Sequence, residues 1–168
     1  MSKLKTIKKI PMEVIRLLAQ NQEIVKLLVN DAPSALSDPA PSYTLNQLIE
    51  DRYISAFPPT ESSIEQWGRN TFLTVLLDAV SLHNINDNSH INLVLYVSTD
   101  VSTLVLNDNK NRLLELADRI VDTLDNAKTS VAGSLIVNSM DHVLLSNFHS
   151  AYAIHIVCYE QETRKAEI

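Results

Sequence analysis

The chain has 168 residues, enough for one domain with a proper core. Hydrophobic residues make up 45% and charged residues 20%, the balance of a globular protein rather than a disordered one. Against 14 Lys and Arg stand 20 Asp and Glu, a formal charge of −6, which argues against reading or wrapping DNA, because both need a basic surface.

The first stretch, MSKLKTIKKIPMEVIRLL, has a basic start and then apolar residues, but Glu13 and Arg16 interrupt it and no small-residue cleavage site follows. It does not read as a secretory signal. No run approaches the ~20 apolar residues that cross a bilayer; FLTVLLDAV is too short and contains Asp78. The expectation is a protein made in the cytoplasm, with no membrane contact.

Pro11 to Val29 predicts helix, with Met12, Ile15, Leu18 and Ala19 as one stripe and Ile24, Val25, Leu27 and Leu28 as another. Gln20-Asn21-Gln22 marks a break or bend, and Pro11 suits a first turn. APSALSDPAPS, from Ala32 to Ser42, reads as a loop or extended arm. Thr44 then caps a short helix, LNQLIEDRYI, with Gln47 as its capping-box partner, and Phe57-Pro58-Pro59 stops it. On this reading residues 1–42 form an N-terminal helical arm with a Pro-rich joint, residues 43–160 an α+β domain, and residues 161–168 a tail. Ile15, Leu18, Ile24 and Leu28 are then candidates for packing against a neighbouring subunit.

Thr71 to Leu82 predicts a long apolar strand and Ile91 to Thr99 an alternating one. The polar His83 to His90 between them makes a hairpin the economical arrangement. The stretch from Asn107 to Asn126 has the clearest helical period, with Leu113, Ala117, Ile120 and Leu124 recurring and Leu114, Leu116 and Val121 widening the stripe. Asn107, Asp108 or Asn109 is placed to cap it, and Glu115 precedes Arg119 in the favourable order. Ser134 to Met140 and Ala151 to Glu160 predict two more strands. In the last, Tyr152, Ile154, Ile156 and Cys158 share a face. The predicted fold is α+β: a mostly antiparallel sheet with a crossover helix, 107–126, packed on one face.

Motifs for chemistry are absent. Gly68 and Gly133 are the only glycines, which leaves no Gly-rich phosphate loop and no nucleophile elbow. His83, His90, His142, His149 and His155 lack the convergence of a zinc site, and solvated strand ends suit them better. Asp78, Asp87, Asp100, Asp108 and Asp141 lack the neighbouring Lys of a metal-dependent nuclease. Tyr43, Tyr53, Phe57, Trp67 and Phe72 sit among more acids than bases, which fits packing or an interface better than stacking on bases. Cys158, the only cysteine, reads as a small buried hydrophobe. No cofactor, metal or catalytic residue is expected.

The order strand, strand, helix, strand, strand, with NRLLELADRIVDTLDN as the helix and HSAYAIHIVCYEQ as the last strand, resembles tail-terminator and neck proteins of tailed bacteriophages. EDRYISAFPPTESSIEQWGRNTFLTVLLDAV is similar to the front half of neck proteins from phages of low-GC Gram-positive hosts. The resemblance covers roughly residues 45–160. It implies a virion protein forming a homo-oligomeric ring, hexameric or dodecameric, that joins head to tail between adjoining neck and tail-tube proteins. DNA would pass through with only transient, non-specific contact. It also implies roles for two groups. Asp118, Asp122 and Asp125 would face the lumen, where like charge keeps the genome from sticking. His83, Asn84, Ile85, Asn86, Asp87, Asn88, Ser89 and His90 would form a polar loop docking on the adjoining ring. A non-virion assembly chaperone is the alternative, and a metal-dependent enzyme a remote one.

Overall fold

Pro11 lies in the first turn of α1 (Ile10–Gln20), which buries Ile10, Val14, Ile15 and Leu18 along one stripe. The computed structural model describes residues 7–56, 68, 70–81, 90–130 and 133–159. The break expected near residue 21 is real and has one author. Asn21 is extended, and its side chain accepts hydrogen bonds from the Glu23 and Ile24 N–H groups at 3.0 and 3.4 Å, so it ends α1 and caps α2 (Gln22–Val29). Its amide nitrogen also donates to Thr123 Oγ1 at 2.9 Å, tying this joint to the crossover helix. The capping box of α3 (Leu45–Glu50) is present as predicted: Gln47 N–H donates to Thr44 Oγ1 at 3.2 Å and Thr44 N–H to Gln47 Oε1 at 2.9 Å. The helix ends earlier than LNQLIEDRYI suggests, because Arg52 turns the chain at φ 62° and leads into a strand.

That strand is β1 (Ile54–Ser55). It is followed by β2 (Thr71–Ser81), β3 (His90–Asp100), α4 (Arg112–Leu124), β4 (Lys128–Thr129), β5 (Gly133–Leu144) and β6 (His149–Tyr159). Among the described residues they form one sheet in the order β1-β2-β3-β6-β5-β4, in which the β1–β2 pair is parallel and the rest are antiparallel. α4 carries the chain from β3 over β6 to β5 and packs on all three. The predicted α+β class and crossover helix are thus the observed ones, as is the antiparallel pairing of β2 with β3.

α4 begins later than the hydrophobic period suggests. Asn107–Asn109 is a 3-10 turn with Asp108 at φ 64°, and the cap is Asn111, which accepts from Leu113 N–H at 2.9 Å and Leu114 N–H at 3.2 Å. Short polar Asn and Asp tolerate this left-handed backbone, so a run of them caps a helix at only one of several candidate positions. Leu113, Leu116, Ala117, Ile120 and Leu124 are buried, but Leu114 is 46% exposed.

One core joins α1, α2 and α4 to the facing side of the sheet, where Leu73, Val75, Leu93, Leu95, Val97, Leu135, Ile154, Ile156 and Cys158 are buried. This corrects the expectation of a separate N-terminal arm. Ile15, Leu18, Ile24 and Leu28, expected to serve a neighbouring subunit, lie at 1% exposure or less within the chain's own core. The joint after them is also tied down. Asn30 Nδ2 and Ser34 Oγ donate to Asp38 Oδ2 at 2.7 and 2.9 Å, and Asn107 N–H donates to the Pro33 carbonyl at 2.8 Å. Apolar helical stripes cannot say which surface buries them; here the nearest sheet does.

Candidate functional site

The sheet's second face, away from the helices, gathers the polar residues of the β half. Two bulges shape it. β2 slips register between Leu77 and Ala79, and β5 between Val137 and Ser139, on opposite flanks of the central β3–β6 pair. The row Leu77–Leu93–Ile156–Val137 lies between them. Bulges bend and twist a sheet locally. At that level lies an open groove of about 560 Å³ whose lining includes Asp78, His90, Asn92, Ser139, Asp141 and His155. His155 Nε2 lies 3.4 Å from Asp141 Oδ2, an exposed contact that becomes an ion pair when the ring is protonated. Among the described residues no three His, Cys, Asp or Glu side chains converge on a metal position. The groove therefore offers polar contacts and one His–carboxylate pair.

The other half of this face is closed. Phe72, Thr74, Val94, Ser98, Ala151 and Ala153 are buried. Phe72 meets the His149 ring at 5.7 Å. His149 Nε2 and Thr74 Oγ1 have no hydrogen-bond partner among the described residues.

Of the expected docking loop, His90 is described and begins β3, half-buried at the edge of the groove; His83 to Ser89 lie outside the described residues. Asp118 and Asp122 are exposed on α4, opposite its buried stripe, and Asp125, also exposed, caps its C-terminal end. They are not equivalent. Asp125 accepts the Val137 N–H at 3.1 Å and the Asn126 side-chain amide at 2.9 Å, so it caps a strand edge as well as carrying charge. The predicted Glu115–Arg119 pair is present at 2.6 Å, and Arg119 also reaches Glu23 Oε2 at 2.7 Å, binding α4 to α2. Burial raises the Glu115 carboxyl, but Arg119 and Lys110 outweigh it and hold Glu115 below the ordinary carboxylate value. Burial lowers the Arg119 guanidinium, and the two carboxylates reverse that. At the end of β3, burial likewise raises Asp100, but the Ser102 hydroxyl and N–H and the nearby His149 bring it below its ordinary value.

The residue the sequence conceals is Arg112, which is fully buried. Its Nη1 donates to the carbonyls of Leu27 at 3.1 Å and Asn30 at 2.6 Å, Nη2 to Ala32 at 2.7 Å, and Nε to Thr103 at 2.8 Å. The guanidinium thus satisfies carbonyls at the C-terminal end of α2, the negative end of that helix dipole. Desolvation lowers its pKa, and the nearby Asp31 charge opposes this. A signal was available: a cation in the first turn of α4 opposes that helix's own dipole, so it needs another partner.

The YomW family model matches residues 21–158, which span the chain from the cap of α2 to the end of β6. The chain belongs to the YomW family. This is a phage-derived family of Bacillus prophage type, and membership points to a phage origin. No curated protein matches the chain. The match takes in the Arg112 site, the crossover helix and both bulges, while α1 lies outside it.

Proposed function

We propose that the chain is a structural virion protein of a tailed phage, a neck or tail-terminator subunit that forms a ring joining head to tail. Membership in a phage-derived family is the observation that carries this reading, together with a sheet spanned by a single crossover helix. Two further features support it. The exposed row Asp118, Asp122 and Asp125 gives α4 an acidic outer face that repels a phosphate backbone. The polar groove on the second face of the sheet offers a surface for contacts.

The test is mass spectrometry of purified phage particles, paired with electron microscopy of particles made without the gene. Stoichiometric recovery from particles, with filled heads and free tails in the deletion, is the expected result. Absence from mature particles with assembly still impaired would instead identify a chaperone that leaves after assembly. Replacing residues 84–89 with an Asn-Gly turn tests the docking loop separately: the subunit should fold, and heads and tails should fail to join.

A further inference from the structure

β4 covers β5 only at Gly133 and Ser134. Just beyond, the outward backbone is satisfied within the chain: Leu135 N–H donates to the Ala127 carbonyl at 2.8 Å, its carbonyl accepts from Asn126 N–H at 2.9 Å, and Val137 N–H donates to Asp125 Oδ1 at 3.1 Å. After the bulge at Asn138, no strand among the described residues lies against β5's outer edge. Met140, His142 and Leu144 pair with Ile154, Tyr152 and Ser150, on the same side of the sheet as Leu135 and Val137. Their N–H and C=O groups therefore point away from β6, as those of Leu135 and Val137 do.

An open strand edge is a template for another strand, and proteins that stay monomeric blunt it with Lys, Pro or a covering element. GSLIVNSMDHVL contains no Lys, Arg or Pro. Its one charged carboxylate, Asp141, is on the other face, beside His155. Along the open part the side chains are apolar and solvent-facing, with Met140 41% and Leu144 77% exposed and Phe148 of the following turn at 65%. The His142 ring between them is held in place, within 2.8 Å of Ser150 Oγ and edge-on to Tyr152 at 5.4 Å.

We infer that this edge pairs with the same edge of a second copy of the chain, antiparallel, across a two-fold axis at His142. The segment is self-complementary about that residue. Met140 of each copy falls opposite Leu144 of the other, so apolar meets apolar twice, and His142 meets its own mate. Asp141 falls opposite Val143, so no carboxylate faces a carboxylate across the seam. A two-fold contact presents the same patch on both sides and requires this kind of internal symmetry. The pairing forms about six backbone hydrogen bonds and covers the exposed Met and Leu at once. It stands apart from the ring reading, since it is a contact between copies wherever the protein acts.

Sedimentation velocity on the full chain across the micromolar range tests it. A concentration-dependent dimer is expected, shifting to monomer when Met140→Lys and Leu144→Lys are combined, while Leu114→Lys on the exposed side of α4 leaves it unchanged. Circular dichroism checks that each variant is folded. Register is tested separately with His142→Cys, which places two thiols opposite each other and should give a disulfide-linked dimer on mild oxidation; Ile136→Cys should not. Native Cys158 is fully buried and does not compete. A wild-type monomer at every concentration overturns the inference. So does an oligomer of any size that survives both lysines, or equal cross-linking at positions 136 and 142.

Discussion

The helical layer and the far half of β5 treat their backbone in opposite ways. In the helical layer even the awkward carbonyls at the end of α2 have a donor, because Arg112 is buried to reach them. On β5 the outward groups are paired as far as Val137, and among the described residues the strand then continues with no strand beside it and with Met140 and Leu144 exposed. Among the described residues the same chain pairs these carbonyls in one region and leaves a strand edge unpaired in the other. The closed region positions the sheet; the open one is where the pairing between copies proposed above would form.

If the N-terminal helices belong to the closed region, removing them has the largest effect. Deleting residues 1–30 strips Ile10, Val14, Ile15, Leu18, Ile24, Leu27 and Leu28 from the core and takes two of the four acceptors from Arg112. The truncated chain should show no cooperative thermal unfolding transition. A folded α+β remainder would mean that residues 1–30 are an arm after all and not part of the closed region. Ile120→Asp, a carboxylate placed in the same core, should be equally ruinous.

Next in size is Arg112→Met, which keeps the volume and removes the donors. Leaving several buried carbonyls unpaired should cost about 3–5 kcal/mol, read from urea denaturation. Arg112→Lys should recover only a part, because an ammonium cannot reach four acceptors in a planar fork.

Much of this closed region was legible in the sequence. The stripe Leu113, Ala117, Ile120 and Leu124 marked α4's buried face, the Thr44–Gln47 box marked α3, and the period-two alternation of β6 put Tyr152, Ile154, Ile156 and Cys158 on one face, which the structure turns to the core. What the sequence withheld was partnership. Apolar stripes on α1 and α2 looked the same whether the surface they bury is their own sheet or a neighbour's. Arg112 looked like one more polar residue at a helix start, because three of its four acceptors, Leu27, Asn30 and Ala32, lie 80 or more residues away in the chain. The bulges at Asp78 and Asn138 gave no local sign, having neither glycine nor proline, and without them neither the groove nor the turn of β5's open edge can be foreseen. The open edge itself is a fact about what is missing beside a strand, which no periodicity encodes.

A smaller effect separates the ion network linking α2 and α4 from the packing beneath it. Glu115 lies below its ordinary value of 4.5 in the folded chain, so the unfolded chain takes up the proton first as pH falls. The stabilisation is therefore full above about pH 4.5 and is lost as pH drops through the folded value. Glu115→Gln should lower stability at neutral pH and flatten the acid limb of a stability–pH curve. An unchanged acid limb would place the acid sensitivity in other carboxylates, Asp100 among them.

The smallest effect on the subunit falls where the open region is most exposed. Leu144→Ser alters a side chain that is 77% exposed and touches no part of the core cluster. Surface changes of this kind stay within about 0.5 kcal/mol, so the urea midpoint of the isolated subunit should barely move. Leu116→Ser, on a helix of the closed region and fully buried, loses packing and leaves a hydroxyl in the core, and should lose at least 2 kcal/mol. For association the order reverses: Leu144→Ser should weaken pairing between copies. If Leu144→Ser destabilises the monomer as Leu116→Ser does, the tip of β5 is packed within the subunit and belongs to the closed region after all.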